Sequence, residues 1–205
     1  TLAALSSLKR DKDSYLLVLA ADHEIINNEI FIKSIMSGLK YCDSGRLVTF
    51  GIMPTHPETG YGYIKSKKPL NYKSFEGSEI ASFFEKPNLL TAKKFIKDRT
   101  FSWNSGIFLF RAKDVIKEIE RFQPRIIESC KKAILNSNFD LDFQRIENDA
   151  FQECPDISLD NAVFEKTDKA VVIPLNSGWS DLGNWNTLWD LSEKDNKGNT
   201  KIKNS

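Results

Sequence analysis

Two aspartates, each placed just after an apolar run, are the side chains in this sequence most able to do chemistry. Asp22 ends the run at 15–21, and Asp181 follows the run at 170–175. Such runs predict buried strands, and strand ends form the ligand-binding edge of an α/β sheet. If the two carboxylates meet at one edge, they suit Mg²⁺, a hard cation that takes oxygen ligands and bridges phosphates. A simpler role is open for Asp181, which could cap the helix that follows it.

An acid and a base stand together at the exit of another predicted strand. Glu85 and Lys86 follow the alternating pattern at 79–84, and Pro87 then forces the chain out of the sheet. A lysine there can pair with a phosphate as a point charge, and a glutamate can hydrogen-bond sugar hydroxyls. A solvated charge pair is the alternative interpretation.

Two segments contain glycines at positions where the backbone could contact a ligand. Gly60 and Gly62 remove Cβ atoms where the backbone could pass a ligand closely, although an ordinary turn into an edge strand has the same pattern. Asn104 and Gly106 interrupt the β-prone run at 101–110. Asparagine offers a donor and an acceptor to hydroxyls, and glycine within a strand indicates a bulge or a nearby ligand.

Asp160 and Glu165 precede the last predicted strand. The sequence leaves two interpretations of these acids open, since they can face a pocket or lie on the outside of a helix. Asp156 or Ser158 is expected to cap that helix.

The elements that must position these groups alternate between strand and helix, which predicts an α/β domain with helical crossovers. Strands are expected at 15–21, 46–52, 79–84, 101–110 and 170–175, with a surface hairpin excursion at 65–78. Helices are expected at the start of the chain, at about 28–45, after Asn88, around Ile119, after Pro124, within 138–151, and where Trp185, Leu188, Trp189 and Leu191 share a face.

The composition is that of an ordinary soluble domain. Of the 205 residues, 29 are Lys or Arg and 28 are Asp or Glu, so the charge balance gives no reason to expect nucleic acid or an anionic membrane as a partner. No apolar run approaches the roughly 20 residues of a membrane span. The three cysteines lack metal-ligand spacing and the two histidines exclude a multi-histidine site, so we expect reduced thiols and a cytoplasmic location.

Six motifs in a fixed order give the chain a family resemblance. They are Asp22-His23, Thr49-Phe50-Gly51-Ile52 with Pro54-Thr55, Glu58-Thr59-Gly60-Tyr61-Gly62-Tyr63-Ile64, Phe84-Glu85-Lys86-Pro87, Trp103-Asn104-Ser105-Gly106-Ile107-Phe108-Leu109-Phe110 and Trp179-Ser180-Asp181-Leu182-Gly183. Together they resemble bacterial mannose-1-phosphate guanylyltransferases, either the single-function enzyme or the first part of the bifunctional enzyme that also carries a mannose-6-phosphate isomerase domain. The resemblance extends over about 2–199.

The resemblance implies both a fold and a reaction. The expected fold is a Rossmann-like three-layer α/β/α sandwich with a mixed sheet, the glycosyltransferase-A-like fold of nucleotide-diphospho-sugar transferases. The expected reaction transfers GMP from GTP to mannose 1-phosphate, giving GDP-mannose and pyrophosphate. A homodimer is possible in the full-length protein.

The resemblance also implies roles for individual residues. Asp22 and Asp181 would hold Mg²⁺, and Lys86 would neutralise the phosphate of mannose 1-phosphate, so these three are the expected catalytic residues. The expected substrate-binding residues are Gly60, Gly62, Glu85, Asn104, Gly106, Asp160 and Glu165.

One departure from the family is large. Its members open with a strand and a Gly-rich loop containing Arg-Leu-Trp-Pro, which cradles the triphosphate, and this sequence has no such segment. We therefore expect 1–205 to be a single partial domain, truncated at its N-terminus and lacking the C-terminal β-helical or cupin-like region. Such a fragment is expected to bind GTP poorly and to turn over little by itself.

Two other functions stay open at this point. The first is a sugar-1-phosphate nucleotidyltransferase that uses UTP or dTTP, because the residues that choose the base belong to the missing segment. The second is a non-catalytic module that binds a nucleotide sugar. A pure binder does not need a metal pair, so the joint presence of Asp22, Lys86 and Asp181 favours an enzyme.

Overall fold

The computed structural model describes residues 1–183, 185, 187, 189, 192, 194, 195 and 198–200. The helices are α1 (Leu2–Arg10), α2 (Asn28–Asp43), α3 (Leu89–Phe95), α4 (Ala112–Phe122), α5 (Pro124–Leu135), α6 (Asn148–Gln152) and a π-helical turn (Asp160–Phe164). The strands are β1 (Tyr15–Val18), β2 (His23–Ile25), β3 (Leu47–Ile52), β4 (Tyr63–Ser66), β5 (Ser78–Phe84), β6 (Phe101–Arg111), β7 (Asn138–Asp140), β8 (Phe143–Arg145), β9 (Ala170–Leu175) and β10 (Trp179–Asp181).

The main sheet of the described chain has six strands in the order β1-β6-β3-β9-β5-β4. β3 and β9 run parallel, whereas the other neighbouring strands are antiparallel, so the predicted mixed sheet is confirmed. The long strand β6 also pairs through its first residues with β4. Two small sheets lie outside this one, formed by β2 with β10 and by β7 with β8.

Hydrophobic side chains cover both faces of the main sheet, because successive residues of a strand point to opposite faces. Along β3, Val48, Phe50 and Ile52 join the buried cluster that contains Phe31 of α2. Leu47 joins the other cluster, to which α1, α4 and α5 contribute their apolar residues. The sheet therefore lies between two helical layers, as the three-layer prediction requires.

Local sequence signals explain where several helices begin. Asn27 caps α2 by accepting a hydrogen bond from the Ile30 amide at 3.0 Å, and Asn88 caps α3 by accepting one from the Thr91 amide at 2.9 Å. Pro124 is the first residue of α5, where its missing N–H has no helical partner to lose.

The helix expected within 138–151 is wrong for most of its length. The chain instead forms the β7–β8 hairpin and then the short helix α6. Leu141 in the hairpin turn has φ +53°, a left-handed conformation that an α-helix does not contain. The helix expected from Trp185 to Leu191 lies largely outside the described residues, since Leu188 and Leu191 are among those not described.

None of the helices in the described residues has the length and apolar character needed to cross a bilayer. The three cysteines are free thiols. Cys42 and Cys130 are buried, and burial raises the pKa of the Cys42 thiol to about 12 and that of Cys130 to about 11. These two thiols therefore stay protonated at neutral pH and behave as core residues.

Candidate functional site

The two aspartates occupy neighbouring positions, although not at the edge of the main sheet as the sequence suggested. β2 starts directly after Asp22, β10 ends at Asp181, and the two strands pair antiparallel with Asp181 opposite His23. The Leu182 amide donates a hydrogen bond of 3.0 Å to the carbonyl oxygen of Asp22. Asp22 is exposed and Asp181 is half-buried. Pairing of two short strands thus brings the backbones of two aspartates together from distant parts of the sequence.

The donor set at this place fits Mg²⁺. Both side chains offer carboxylate oxygens, the ligands that hard cations take, and Mg²⁺ is commonly held by one or two carboxylates with water and phosphate oxygens completing its shell. Among the described residues, no group of three or more His, Cys, Asp or Glu side chains is arranged to hold a metal. A protein cage of the kind that binds zinc is therefore not what these residues offer.

Asp181 also makes the local contact that the simpler interpretation predicts. Its Oδ1 accepts a hydrogen bond of 2.7 Å from the Gly183 amide. A Cβ atom at Gly183 would lie 2.9 Å from the same oxygen, so the turn needs glycine for this close approach. The turn holds the carboxylate in place and is compatible with binding of a cation.

His23 and Trp179 join β2 to β10 through their side chains, a role that the sequence analysis did not assign. The Trp179 indole Nε1–H donates to His23 Nδ1 at 3.2 Å, and the two rings meet edge to face at 5.1 Å. Because an indole N–H can only donate, Nδ1 accepts and the proton of the neutral His23 ring is on Nε2. His23 is adjacent to Asp22 in the sequence and Trp179 is two residues before Asp181, and this proximity could have identified the His23–Trp179 pair.

Tyr61 connects the aspartates to the loop that contains Gly60 and Gly62. Its ring contacts Trp103 at 5.4 Å and Trp179 at 5.5 Å, both edge to face. Burial raises the pKa of the Tyr61 hydroxyl, and the negative charge of Asp181 raises it further. The hydroxyl therefore stays protonated at neutral pH.

Asn104 is the centre of the second half of the site. Its Nδ2 donates to Asp160 Oδ1 at 3.0 Å, while its Oδ1 accepts from the Gly106 amide at 3.3 Å and from Thr49 Oγ1 at 3.2 Å. Its backbone amide donates to the Gly62 carbonyl at 2.8 Å. These bonds bring together four of the sequence-predicted residues, Asn104, Asp160, Gly106 and Gly62.

The close approach predicted at Gly62 is present, whereas Gly60 belongs to a turn. A Cβ atom at Gly62 would lie 2.9 Å from Glu85 Oε2 and 3.5 Å from Asn104 Cβ. The Gly60 amide donates to Glu58 Oε1 at 2.7 Å, and this bond is the main cause that lowers the pKa of the Glu58 carboxyl. The heavy atoms nearest to a Cβ at Gly60 would be those of Glu58.

Gly106 joins the two halves of the site. It has φ +66°, in the left-handed region that favours glycine, and a Cβ atom there would lie 3.6 Å from His23 Cε1. A side chain at this position would be strained by the backbone conformation, while its Cβ would only be in van der Waals contact with the histidine beside Asp22. The left-handed conformation is therefore the reason for glycine here.

Asp160 faces the interior of the site, and Glu165 lies at its outer margin. Burial is the main cause that raises the pKa of the Asp160 carboxyl; the charges of Glu85 and Glu165 also raise it, the hydrogen bond from Asn104 lowers it, and the resulting pKa is about 6. Glu165 is exposed and accepts a bond of 2.6 Å from Asn161 Nδ2. Asp160 is therefore turned toward Asn104, whereas Glu165 lies on the helix surface. Ser158, one of the two predicted caps, accepts from the Asn161 amide at 3.3 Å.

Glu85 and Lys86 project from the end of β5. Lys86 Nζ lies 3.7 Å from Glu85 Oε1, and the Lys86 side chain is 64% exposed. Lys86 has φ +42°, an unfavourable conformation for a non-glycine residue that costs about 1 kcal/mol. The ammonium group thus lies beside Glu85 and remains accessible to an anion.

The residues described above offer three chemical capabilities. The aspartate pair can hold a divalent cation, Lys86 can neutralise an anion, and Glu85, Asn104 and Asp160 can exchange hydrogen bonds with hydroxyl groups. A phosphorylated polyol bound beside a metal ion matches all three.

Comparison with known proteins gives the family of the sequence. The family described as "Nucleotidyl transferase" matches residues 2–198. A mannose-1-phosphate guanylyltransferase from Salmonella montevideo is 50% identical over 201 residues, which are 97% of this chain and 42% of that protein. The chain thus spans about two fifths of the length of such curated relatives.

Solved structures give the same fold. A Helicobacter pylori protein described as mannose-6-phosphate isomerase is 32% identical with a TM-score of 0.77, covering 87% of this chain and 69% of that one. A Thermus thermophilus protein described as mannose-1-phosphate geranyltransferase is 27% identical, also with a TM-score of 0.77, covering 92% of this chain and 52% of that one. The predicted nucleotide-diphospho-sugar transferase fold is confirmed.

Proposed function

Since the chain belongs to the nucleotidyl transferase family, we propose that the protein containing it is a mannose-1-phosphate guanylyltransferase. It transfers GMP from GTP to mannose 1-phosphate and releases pyrophosphate. The name of the Salmonella montevideo relative supports this substrate pair. The Helicobacter pylori protein described as an isomerase supports the fold, but its description does not support this reaction.

The observation that supports the proposal is the pairing of β2 with β10, which makes the backbones of Asp22 and Asp181 neighbours. These two residues would hold Mg²⁺, and the ion would neutralise charge on the phosphates of both substrates. A phosphate oxygen of mannose 1-phosphate attacks the α-phosphate of GTP in line, so no covalent protein intermediate is needed. Positioning and charge neutralisation supply the catalysis.

The remaining residues bind the sugar phosphate. Lys86 neutralises the phosphate of mannose 1-phosphate, and its position next to Glu85 keeps the ammonium group at the rim of the sugar site. Glu85, Asn104 and the backbone at Gly62 hydrogen-bond the mannose hydroxyls. A cytoplasmic location is part of the proposal and agrees with the three free thiols.

Replacement of Asp181 by Asn tests the proposal. In the full-length protein we expect Asp181→Asn to lower turnover of GTP with mannose 1-phosphate about 100-fold, because a charged ligand of the ion is lost. Asp142→Asn, which removes an exposed acid in the turn between β7 and β8, is the matched control and should turn over like the native protein. Assays with GTP, UTP and dTTP in parallel identify the base.

Two outcomes contradict the proposal. Unchanged turnover in Asp181→Asn would remove the metal pair from the mechanism. Binding of GDP-mannose by the native protein without turnover of any nucleoside triphosphate would instead indicate a non-catalytic module.

A further inference from the structure

The orientation of the Asn104 side-chain amide is determined by its neighbours. The amide oxygen and nitrogen have similar shapes, so hydrogen-bond partners decide which way the group points. The Gly106 amide can only donate, so it faces Oδ1 at 3.3 Å. An ionised Asp160 can only accept, so it faces Nδ2 at 3.0 Å.

The third neighbour cannot fix the orientation. The Thr49 hydroxyl lies 3.2 Å from Asn104 Oδ1 and 3.0 Å from the Ile107 carbonyl oxygen, which can take its single proton instead. A hydroxyl also accepts hydrogen bonds, so Thr49 is compatible with either orientation of the amide. The carboxylate of Asp160 therefore determines, with Gly106, where the donor of Asn104 points.

We propose that Asp160 is the positioning residue of the sugar site, whose carboxylate holds the Asn104 amide so that the second N–H of Nδ2 is directed to a mannose hydroxyl. The inference rests on the proposed function and refines it, because it assigns Asp160 a role through Asn104 in place of the direct substrate contact that the sequence resemblance implies.

The charged surroundings of Asp160 make this positioning dependent on pH. The groups that act on it are Asn104 of β6, Glu85 after β5 and Glu165 after the π-helical turn, and Lys86 lies next to Glu85. Burial and the two glutamates place the pKa of Asp160 at about 6. Below that pH the carboxyl group is neutral and can donate as well as accept, so only the longer contact with the Gly106 amide, at 3.3 Å, still selects the orientation of the Asn104 amide.

Nuclear magnetic resonance of protein labelled with ¹⁵N-asparagine tests the hydrogen bond without substrate. We expect the side-chain amide signals of Asn104, identified by their loss in Asn104→Asp, to titrate with a midpoint near the Asp160 value of about 6. The inflection should vanish in Asp160→Asn. It should persist in Glu165→Gln with a lower midpoint, because one negative charge that raises the Asp160 pKa is removed. Asn104 signals that do not titrate would overturn the inference and leave the proposed reaction untouched.

Steady-state kinetics of the full-length protein test the consequence for binding. We expect Asp160→Asn to raise KM for mannose 1-phosphate about tenfold and to change kcat less than about threefold, because the Asn104 amide is then oriented by Gly106 alone while the phosphate groups keep their contacts. Asp160→Glu should restore part of the affinity. The phosphate of the substrate titrates equally for every variant, so the rise of KM at acid pH that is specific to the native protein reports Asp160.

Other kinetic outcomes contradict the inference. A fall in kcat as large as the change in KM would assign Asp160 to the reacting groups. Absence of any turnover of mannose 1-phosphate by the native protein, with Asn104 signals that still titrate, would overturn the proposed function together with the sugar assignment made here.

Discussion

The carboxyl group of Asp160 is ionised at neutral pH even though burial and the charge of Glu85 raise its pKa to about 6, from an ordinary value of 3.8. Above the higher value, the group is charged in both the folded and the unfolded chain, and the folded state carries the full cost of holding that charge. Between the two values the folded chain takes up the proton first, so the cost shrinks. Below 3.8 the cost is gone.

This titration predicts a stabilising substitution within the site. We expect Asp160→Asn to raise the free energy of unfolding by about 1 to 2 kcal/mol near neutral pH, a value reduced from the full pKa shift because Asp160 is only partly buried. The gain should disappear as pH falls toward 4. Chemical denaturation across this pH range measures it, and a gain independent of pH would show that packing and not charge is responsible.

Gly62 offers a second prediction for a single residue. A methyl group there would lie 2.9 Å from Glu85 Oε2, so we expect Gly62→Ala to displace the Glu85 carboxylate and to raise KM for mannose 1-phosphate about tenfold. Gly60→Ala is the matched comparison, because its methyl group would meet Glu58 at 3.2 Å instead. Equal effects of the two substitutions would mean that the loop as a whole, and not the Gly62–Glu85 contact, determines sugar binding.

At the scale of elements, the short β2–β10 ladder depends on side chains as well as on backbone pairing. It contains three residue pairs, and the Trp179–His23 hydrogen bond adds a further link between the strands. We expect Trp179→Phe, which keeps an aromatic ring but removes the donor, to raise the Mg²⁺ concentration needed for half-maximal turnover about threefold or more. Trp189→Phe removes an indole bond to the Gly198 carbonyl and should leave the Mg²⁺ requirement unchanged. An unaltered requirement in Trp179→Phe would show that the backbone ladder alone fixes the aspartates.

The sequence predicted those elements whose signals are local. Apolar periodicity located α2, the Asn88 cap located the start of α3, and the apolar runs located β3 and β9. The hairpin at 138–145 was missed because its turn requires Leu141 in a left-handed conformation. Leucine rarely adopts that conformation, so the sequence gives no signal for the turn.

The sequence also predicted that Asp22 and Asp181 would be neighbours, but the sheet that joins them could not be foreseen. β2 and β10 have three residues each, too few for a period to be recognised. The link between Asn104 and Asp160 is a long-range hydrogen bond, and spacing along the chain carries no information about it.

At the scale of the whole molecule, the main sheet ends at a strand with an apolar border. In the described chain, β1 pairs with β6 and forms the edge of the sheet, and Leu17, Val18 and Leu19 are 39%, 38% and 51% exposed. Unpaired backbone groups beside apolar side chains favour pairing with a strand of another molecule.

We therefore expect Val18→Lys to reduce self-association of the chain about fivefold, since a charge on the edge strand opposes strand addition. Light scattering at increasing protein concentration measures this. Leu90→Lys is the control, because Leu90 is 74% exposed but lies on α3 and not on a sheet edge. Equal reductions would point to general surface hydrophobicity as the cause.

The edge strand β1 lies close in sequence to Asp22, so pairing at this edge would affect the candidate site. The backbone passes from β1 through Leu19, Ala20 and Ala21 directly to Asp22. A strand of another molecule that pairs with β1 would therefore restrain the backbone that leads to Asp22, without any contact to a bound substrate. Turnover per protein molecule would then depend on protein concentration, so that dilution would have the effect of a regulatory ligand.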